Sequence, residues 1–446
     1  MKAVRLLEYG GQLVFDDVPT PTIARDEVLV QIKSTAVNHL DLVEASGTAR
    51  QILPIDLPWI PGHEFSGVVE QIGRDVAAFA PGDAVFGTTT GMGAYAEYLA
   101  VKAAAIARKP SNLSFEEAAS VPVAAQTAWE GLFTHGHLEK GQTILIHGGA
   151  GAVGAYAVRL ASHAGATVIA TASSDDEAYL KSIGASRVID YREAQFEKVL
   201  REKVDVVFDL VGGDTQKRSF LVLKEGGYLV SAVQPVSQED AARHLVSGMM
   251  MRLTPSADML GRIARLLEDG TIRTDVATVY ALQDVAQAWK HMAGNLPGVH
   301  RVSPSEPGTP HRKHGKIVLR VGLDIGILMN NRIHELLQRN LQEVFGEGDA
   351  VRRRAAIDEL YTEDCVLEVP HGTLTGREAL DKFAGDLRAT HPHFHYTPLS
   401  EPQALHNAGR LAWGSGPRGE PPQYTGLDVI VVRDGRIAAL YVFLDS

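Results

Sequence analysis

The chain predicts an α/β protein in three regions: a β-rich region, a region built on a parallel sheet, and an α+β region shaped as a cone. Three observations predict this. Short apolar runs broken by Gly, Pro and Asp turns fill residues 28 to about 100. From Thr143 buried apolar runs alternate with amphipathic helical segments. Helical periodicity resumes near Asn331 and gives way to a last set of strands. At 446 residues the chain exceeds what one hydrophobic core serves, so two to three domains are expected.

In chain order, Val28-Leu-Val-Gln-Ile-Lys and Phe65-Ser-Gly-Val-Val-Glu read as strands of a compact all-β region. Ser114, with Glu117 three residues on, makes a capping box that starts a helix. Five apolar strands follow between helical segments: Thr143-Ile-Leu-Ile-His, Thr167-Val-Ile-Ala-Thr, Val188-Ile-Asp, Val204-Asp-Val-Val-Phe-Asp and Tyr228-Leu-Val-Ser. Strands buried on both faces and alternating with helices describe a Rossmann-type sheet. Past Val276 the chain is expected to return to the first domain and end it in Gly315-Lys-Ile-Val-Leu-Arg-Val, after a polar surface loop from Ser303 to His314. The domains therefore read as 1–122 completed by 276–322, 123–275, and 330–446, with a junction from Gly322 to about Met329.

The third region predicts helices near 331 to 345, with Ile333, Leu336, Leu337 and Leu341 on one face, then 350 to 361 and 376 to 389. A curved antiparallel sheet is expected to follow. It includes Asp428-Val-Ile-Val-Val-Arg and Leu440-Tyr-Val-Phe-Leu, joined through an Asp-Gly turn.

Bulk properties exclude several classes. The formal charge of -11 disfavours a nucleic-acid partner, because binding the phosphate backbone needs clustered Lys and Arg. One cysteine, Cys365, can form neither an internal disulfide nor the sulfur cluster of a structural zinc site. The apolar stretches fall short of the roughly 20 residues that cross a bilayer. The start runs directly into a strand pattern interrupted by charges, so no secretory segment is read and a cytoplasmic protein is expected, with no membrane partner.

The strand at Thr143 runs into Gly149-Ala-Gly-Ala-Val-Gly154, an uninterrupted G-x-G-x-x-G with a helix after it and a second strand at Thr167. Glycines there permit a tight turn and let backbone N–H groups of Gly151, Ala152, Val153 and Gly154 approach a pyrophosphate, whose charge the helix N-terminus meets. A carboxylate ending the next strand would favour NAD. That strand ends instead in Thr171-Ala-Ser173-Ser174, two hydroxyls able to donate to a phosphate, with Tyr191 after the third strand within reach of the same place. NADPH is favoured and NADH stays open, because the serines could equally cap the next helix and Asp175, Asp176 and Glu177 follow at once.

Residues 1 to 322 resemble the medium-chain dehydrogenase/reductase superfamily, in its quinone oxidoreductase (zeta-crystallin-like) branch. The resemblance rests on Val37-Asn-His-Leu-Asp41, Pro61-Gly-His-Glu-Phe-Ser-Gly-Val-Val69, Pro81-Gly-Asp-Ala-Val-Phe86, Gly93-Ala-Tyr-Ala-Glu97, Gln126-Thr-Ala-Trp129, the glycine loop, Phe208-Asp-Leu-Val-Gly212 and Gly315-Lys-Ile-Val-Leu319. It implies a GroES-like catalytic domain, a Rossmann cofactor domain and a cleft between them, in a homodimer. It further implies that Asn38 and Thr127 lie beside the nicotinamide, Gly151 to Gly154 under the pyrophosphate, and Ser173, Ser174 and Tyr191 near the adenosine phosphate. Val211 and Val233 would flank the cofactor, with Lys316 adding positive charge. This chain departs from the branch after the Asn-x-x-Asp motif, with Val43 and Ala45 where a tyrosine and a basic residue are usual.

Zinc-using relatives hold their metal with Cys, His and Cys. Here His63 and Glu64 remain, but Asn38 stands at the first cysteine position and the region around Pro122 has none, so no metal is expected. Without a metal the accessible chemistry is hydride addition to an electrophilic acceptor, a quinone or an α,β-unsaturated carbonyl. Asn38 and Asp41 are the candidate catalytic residues, although Asp41 equally suits a turn-fixing role.

Residues 330 to 446 resemble a SnoaL-like or nuclear-transport-factor-like (cystatin-like) cone, on Leu360-Tyr-Thr-Glu-Asp-Cys-Val-Leu-Glu, Gly376-Arg-Glu-Ala-Leu and Gly426-Leu-Asp-Val-Ile-Val-Val-Arg-Asp-Gly-Arg-Ile. The resemblance implies an apolar pocket with an acid in it; Asp428 is the candidate, with His371 and Tyr441 behind it. His391, His393 and His395 are read on one exposed strand face, opposite Phe394 and Tyr396, and Arg352, Arg353 and Arg354 as a solvated helix face. Three functions stay open: a reductase with a fused accessory or ligand-binding domain, a bifunctional enzyme whose second site isomerises, cyclises or hydrates, and an NADPH-binding protein without turnover.

Overall fold

A computed structural model describes residues 1–89, 93–294, 314–322, 325–370, 372–405 and 407–445, with the backbone alone for 325–331. Residues 303–313 of the expected polar loop and His371 lie outside the described residues. The chain divides into two units, Met1–Gly322 and Leu323–Ser446.

Unit 1 opens with a hairpin, β1 (Lys2–Leu6) and β2 (Leu13–Asp17). β3 (Glu27–Ala36), α1 (His39–Ser46), β4 (Glu64–Ile72), β5 (Ala84–Thr88), β6 (Tyr98–Lys102) and β7 (Ile106–Arg108) follow. The expected all-β region therefore contains a helix. Asn38 caps it, Asp41 returns the capping box, and Gly47 ends it in the left-handed conformation. The Ser114 box forms as expected: Ser114 Oγ accepts from Glu117 N at 3.1 Å and Glu117 from Ser114 N at 2.9 Å, starting α2 (Phe115–Ala119). α3 (Pro122–Trp129) leads on to the second sheet.

That sheet comprises β8 (Thr143–His147), β9 (Thr167–Ala172), β10 (Arg187–Asp190), β11 (Val204–Asp209), β12 (Leu223–Ser231) and β13 (Ser247–Met250), with α4 (Ala152–His163) after β8. All six strands are parallel, in the order β10-β9-β8-β11-β12-β13. The five expected strands are joined by a sixth, β13, whose Ser-Gly-Met-Met sequence lacks the β-branched residues that mark strands. Strand order reverses between β8 and β11, and ligands of such sheets bind at that point beyond the carboxyl ends of the strands.

β14 (Val276–Ala281) and β15 (Lys316–Arg320) then rejoin the first sheet, β15 pairing antiparallel with β3, in the order β14-β15-β3-β4-β5-β7 with β6 also on β3. The return sets Lys316 beside Asn38, which lies 278 residues earlier in the chain.

Unit 2 holds α5 (Ile325–Arg339), continuing as a wider helical turn through Asn340–Phe345, then α6 (Ala350–Leu360), β16 (Tyr361–Val369), β17 (Gly372–Thr375), α7 (Arg377–Thr390), β18 (Phe394–Pro398), β19 (Gln403–Leu405), β20 (Ala408–Pro417), β21 (Tyr424–Arg433) and β22 (Arg436–Leu444). The expectation of helices followed by an antiparallel sheet needs correction. β16 and β17 come between the second and third helices, and β16 pairs in parallel with β22. The β21–β22 hairpin does turn at Asp434 and Gly435, both at positive φ, as an Asp-Gly hairpin requires. Ile333, Leu336, Leu337 and Leu341 bury against Leu411, Ile430 and Leu440 of the sheet.

Two further expectations fail for local reasons. His391 caps the C-terminus of α7 and His393 lies in the turn after it, so only His395 belongs to a strand and the three do not share one face. Successive helical residues point about 100° apart, so three arginines in a row cannot share one helix face. Arg353 turns inward, buried, and pairs with Asp381 at 2.8 Å. Among the described residues no helix is long and apolar enough to cross a membrane.

Candidate active site

The glycine loop sits where β8 hands over to α4. Gly148, one residue before the motif, takes the left-handed conformation that makes the turn, at φ 71°. A Cβ on Gly154 would lie 2.3 Å from Gly148 O, and one on Gly149 would lie 2.8 Å from Ala170 Cβ, so neither position admits a side chain. Gly151 caps α4 and its N–H bonds Gly148 O at 3.1 Å. The first N–H groups of a helix have no partner within it, so Ala152, Val153 and Gly154 present donors and the positive helix end together. This cradle fits a dinucleotide pyrophosphate.

At the end of β9 the Ser173 hydroxyl donates to Asp176 at 2.6 Å, and Ser174 N donates to Asp190 at 2.8 Å. Tyr191 N bonds Ala172 O at 3.2 Å, and the Tyr191 side chain is exposed. Arg192, not foreseen from the sequence, stands over that ring at 5.7 Å and is exposed. The Arg192 backbone N–H donates to the second oxygen of Asp190 at 2.8 Å. Asp176 also meets His314 Nε2 at 2.9 Å, so the acids that follow the serines are engaged within the protein. Arg192 was detectable as the first basic residue after Tyr191.

Val211 and Val233, at the carboxyl ends of β11 and β12, are about half exposed despite being apolar. Asp209 shapes this rim: it accepts from Val211 N at 3.0 Å, Gly212 N at 2.8 Å, Gln216 at 3.1 Å and Ser231 at 3.0 Å. An apolar rim at this edge suits the flat face of a ring.

Asn38, Glu64 and Lys316 meet in the other lobe. Lys316 Nζ donates to Asn38 Oδ1 at 2.5 Å and pairs with Glu64 at 2.6 Å; Asn38 Nδ2 donates to Glu64 at 2.9 Å. All three are buried, and the other Glu64 oxygen accepts from Val123 N at 2.8 Å, at the start of α3. Thr127 lies one turn further along α3 and is 9% exposed. Lys316 thus answers a carboxylate of the protein.

Asp41 is fully buried. It accepts from Asn38 N at 2.8 Å, Tyr95 OH at 2.9 Å and Gly62 N at 3.3 Å. Burial pushes its carboxyl above the ordinary range, against the pull of His63 and these donors. Its place is that of a helix cap and brace for the Pro61-Gly62 turn, the turn-fixing alternative, rather than a group facing a cleft. His63 Nε2 lies 2.8 Å from Glu44 and 3.5 Å from Asp41. Burial works against its charge, but the Glu44 bond and the nearby Asp41 outweigh burial and raise it above the ordinary value.

Among the described residues Asp41, Glu44 and His63 offer ligand atoms within 4.8 Å of one another. The donor chemistry does not match the zinc site of relatives. There is no thiolate, the Asp41 oxygens are taken by three donors, and the position of the first cysteine holds Asn38, itself bound to an ammonium.

Asp428 belongs to unit 2. It accepts from Trp413 Nε1 at 2.7 Å and Asn340 Nδ2 at 3.3 Å, and Tyr361 OH donates in turn to Asn340 Oδ1. Burial pushes its carboxyl up to about 7 against those two donors, and it is 4% exposed. Tyr441, its weaker companion from the sequence, is exposed on β22. Asn340, Trp413 and Tyr361 were not foreseen, because they come from three segments that only the fold assembles.

Residues 24–111 match the alcohol dehydrogenase GroES-like domain, 183–295 the zinc-binding dehydrogenase family, and 339–440 the SnoaL-like domain. The 2-methylene-furan-3-one reductase of Solanum lycopersicum is 35% identical over 307 residues, covering 66% of this chain and 76% of that protein. The chloroplastic NADPH-dependent alkenal/one oxidoreductase of Arabidopsis thaliana is 32% identical over 310 residues, covering 66% and 77%. The solved quinone oxidoreductase of Coxiella burnetii superposes with a TM-score of 0.65 at 31% identity, covering 72% of this chain and 99% of that one.

Proposed function

We propose a function from one premise: the chain belongs to the medium-chain dehydrogenase/reductase superfamily, with quinone and alkenal/one oxidoreductases among its relatives and a SnoaL-like domain behind it. It is an oxidoreductase, and the reading is a zinc-independent, NADPH-dependent reductase of quinones or α,β-unsaturated carbonyls. The observation that carries it is the loop at Gly148 to Gly154, which has no room for a side chain at Gly149 or Gly154 and opens on the N-terminus of α4 at the point where strand order reverses. The bound dinucleotide would supply a hydride. The chain's own residues bind and orient. Gly151 to Gly154 would hold the diphosphate, and Val211 and Val233 would border the ring. Asn38 and Thr127 would stand on either side of the reacting carbon.

NADPH is preferred because Ser173, Ser174, Tyr191 and Arg192 bring hydroxyls and a guanidinium to the adenosine end, while Asp176 and Asp190 are already bonded within the chain. Zinc independence follows from the donor chemistry at His63. A quinone or enone already polarised needs alignment and a polar environment more than a Lewis acid. The test is acceptor-dependent loss of reduced-nicotinamide absorbance, with NADPH used at lower concentration than NADH and turnover unchanged by chelator. Absence of turnover with every quinone and enone tried, or stoichiometric zinc required for it, sinks the reading.

A second reading has unit 2 catalysing proton transfer through Asp428, an acid held near neutrality by burial. Loss of one activity in Asp428→Asn, with hydride transfer intact, would support it. Unchanged turnover on all substrates leaves unit 2 as an accessory or binding domain.

A further inference from the structure

We propose that Lys316 is a positioning residue whose ammonium locks the Asn38 amide against Glu64, and through Glu64 sets Asn38 and Thr127 in register across the cleft; this rests on reading unit 1 as a pyridine-nucleotide reductase.

The amide has two orientations, and only one satisfies its neighbours. As it stands, Asn38 Oδ1 accepts from Lys316 Nζ, and Nδ2 donates to Glu64 Oε1 and, at 3.4 Å, to Ala36 O. Turned over, its NH2 would face the ammonium and its oxygen the carboxylate, two repulsive contacts in a buried place. The Lys316–Glu64 ion pair therefore chooses the orientation. With its amide hydrogens on Glu64 and Ala36 and its oxygen on Lys316, Asn38 is held in one orientation.

The same carboxylate spans the two lobes. Glu64 Oε1 serves Lys316 on β15 and Asn38 at the cap of α1, while Oε2 accepts from Val123 N in the first turn of α3. α3 is the helix that carries Thr127. Lys316 also borders a cavity of about 10 Å³, no larger than a water, together with Ala152 and Tyr156 of α4. The cluster thus abuts the nucleotide helix as well. Four segments distant in sequence are pinned by one buried ion pair, and a buried pair holds geometry because every departure leaves a charge unanswered.

Full-length Lys316→Met tests this by NADPH affinity, from nicotinamide fluorescence, and by steady-state kinetics with a quinone. Expected is a roughly 10- to 100-fold loss of kcat, as misplacement of reacting groups by about an ångström produces, with NADPH Kd within about threefold of wild type. A Kd weakened more than about tenfold with kcat retained would make Lys316 a phosphate ligand and overturn the proposal. So would a folded variant unchanged in both. Removing the ammonium alone strands Glu64, so Glu64→Gln/Lys316→Met, neutral at both sites, is measured beside it under the same criteria. A wild-type chain that neither binds nor oxidises NADPH overturns the reductase reading and this assignment with it; wild-type turnover beside an unaffected variant overturns this assignment alone.

Discussion

Each unit buries a carboxylate, and the two are compensated in different ways. Glu64 in unit 1 meets an ammonium at 2.6 Å, an amide at 2.9 Å and a backbone N–H at 2.8 Å. Asp428 in unit 2 meets only neutral donors, the indole of Trp413 and the amide of Asn340. A full opposite charge compensates the loss of solvation, whereas neutral donors compensate it in part and leave the proton as the remaining remedy. The first arrangement is a fixed ion pair for holding geometry. The second is an acid that titrates near neutrality, suited to exchanging a proton or to making its domain sensitive to pH.

The largest effect should come from breaking the first arrangement. Lys316→Met leaves Glu64 buried without its counter-charge, and unit 1 should lose about 3–5 kcal/mol in denaturant unfolding. Glu64→Gln/Lys316→Met should recover most of that loss. A single variant as stable as wild type would mean that the pair does not hold the lobe.

The second arrangement is tested by pH. The Asp428 carboxyl is raised from its ordinary value to about 7 in the folded unit, so the folded state binds the proton more tightly than the unfolded chain. Its contribution is fully present below about pH 4 and is lost as pH rises to about 7, at most about 4 kcal/mol for roughly three units. Thermal unfolding of unit 2 should therefore fall in midpoint across that window. Asp428→Asn should flatten the dependence and match or exceed wild type at pH 8. A slope that survives the substitution assigns the titration to another group.

The smallest effect is expected at an exposed charge. Arg192→Ala should raise the KM for NADPH about tenfold, near 1.4 kcal/mol, with little change for NADH. Equal changes for both cofactors would remove Arg192 from the phosphate subsite.

What the sequence revealed follows the range of the interactions. The glycine loop, the Ser114 capping box and the Asp434-Gly435 turn are set by neighbours a few residues apart, and each forms as read. The helix after Asn38 was hidden among strands because it is only eight residues long. β13 is hidden by its lack of β-branched residues, and the inward turn of Arg353 follows from helical rotation, which a run of three arginines does not display. The Asn38–Glu64–Lys316 and Asp428–Asn340–Trp413–Tyr361 clusters were the least legible. Their members are separated by up to 278 and 88 residues, and no local pattern records which pairs will meet. The residues were visible one by one; their partners belong to the fold.

Equilibrium titration of Gly154→Val with NADPH tests most directly whether Gly148 to Gly154 holds the diphosphate of a nicotinamide dinucleotide. A side chain there overlaps Gly148 O, whose distance from the added carbon would be 2.3 Å. Wild type should bind in the micromolar range, and a variant whose other sheet and unit 2 unfold normally should bind at least about a hundredfold more weakly. Undiminished NADPH binding by that variant would contradict it.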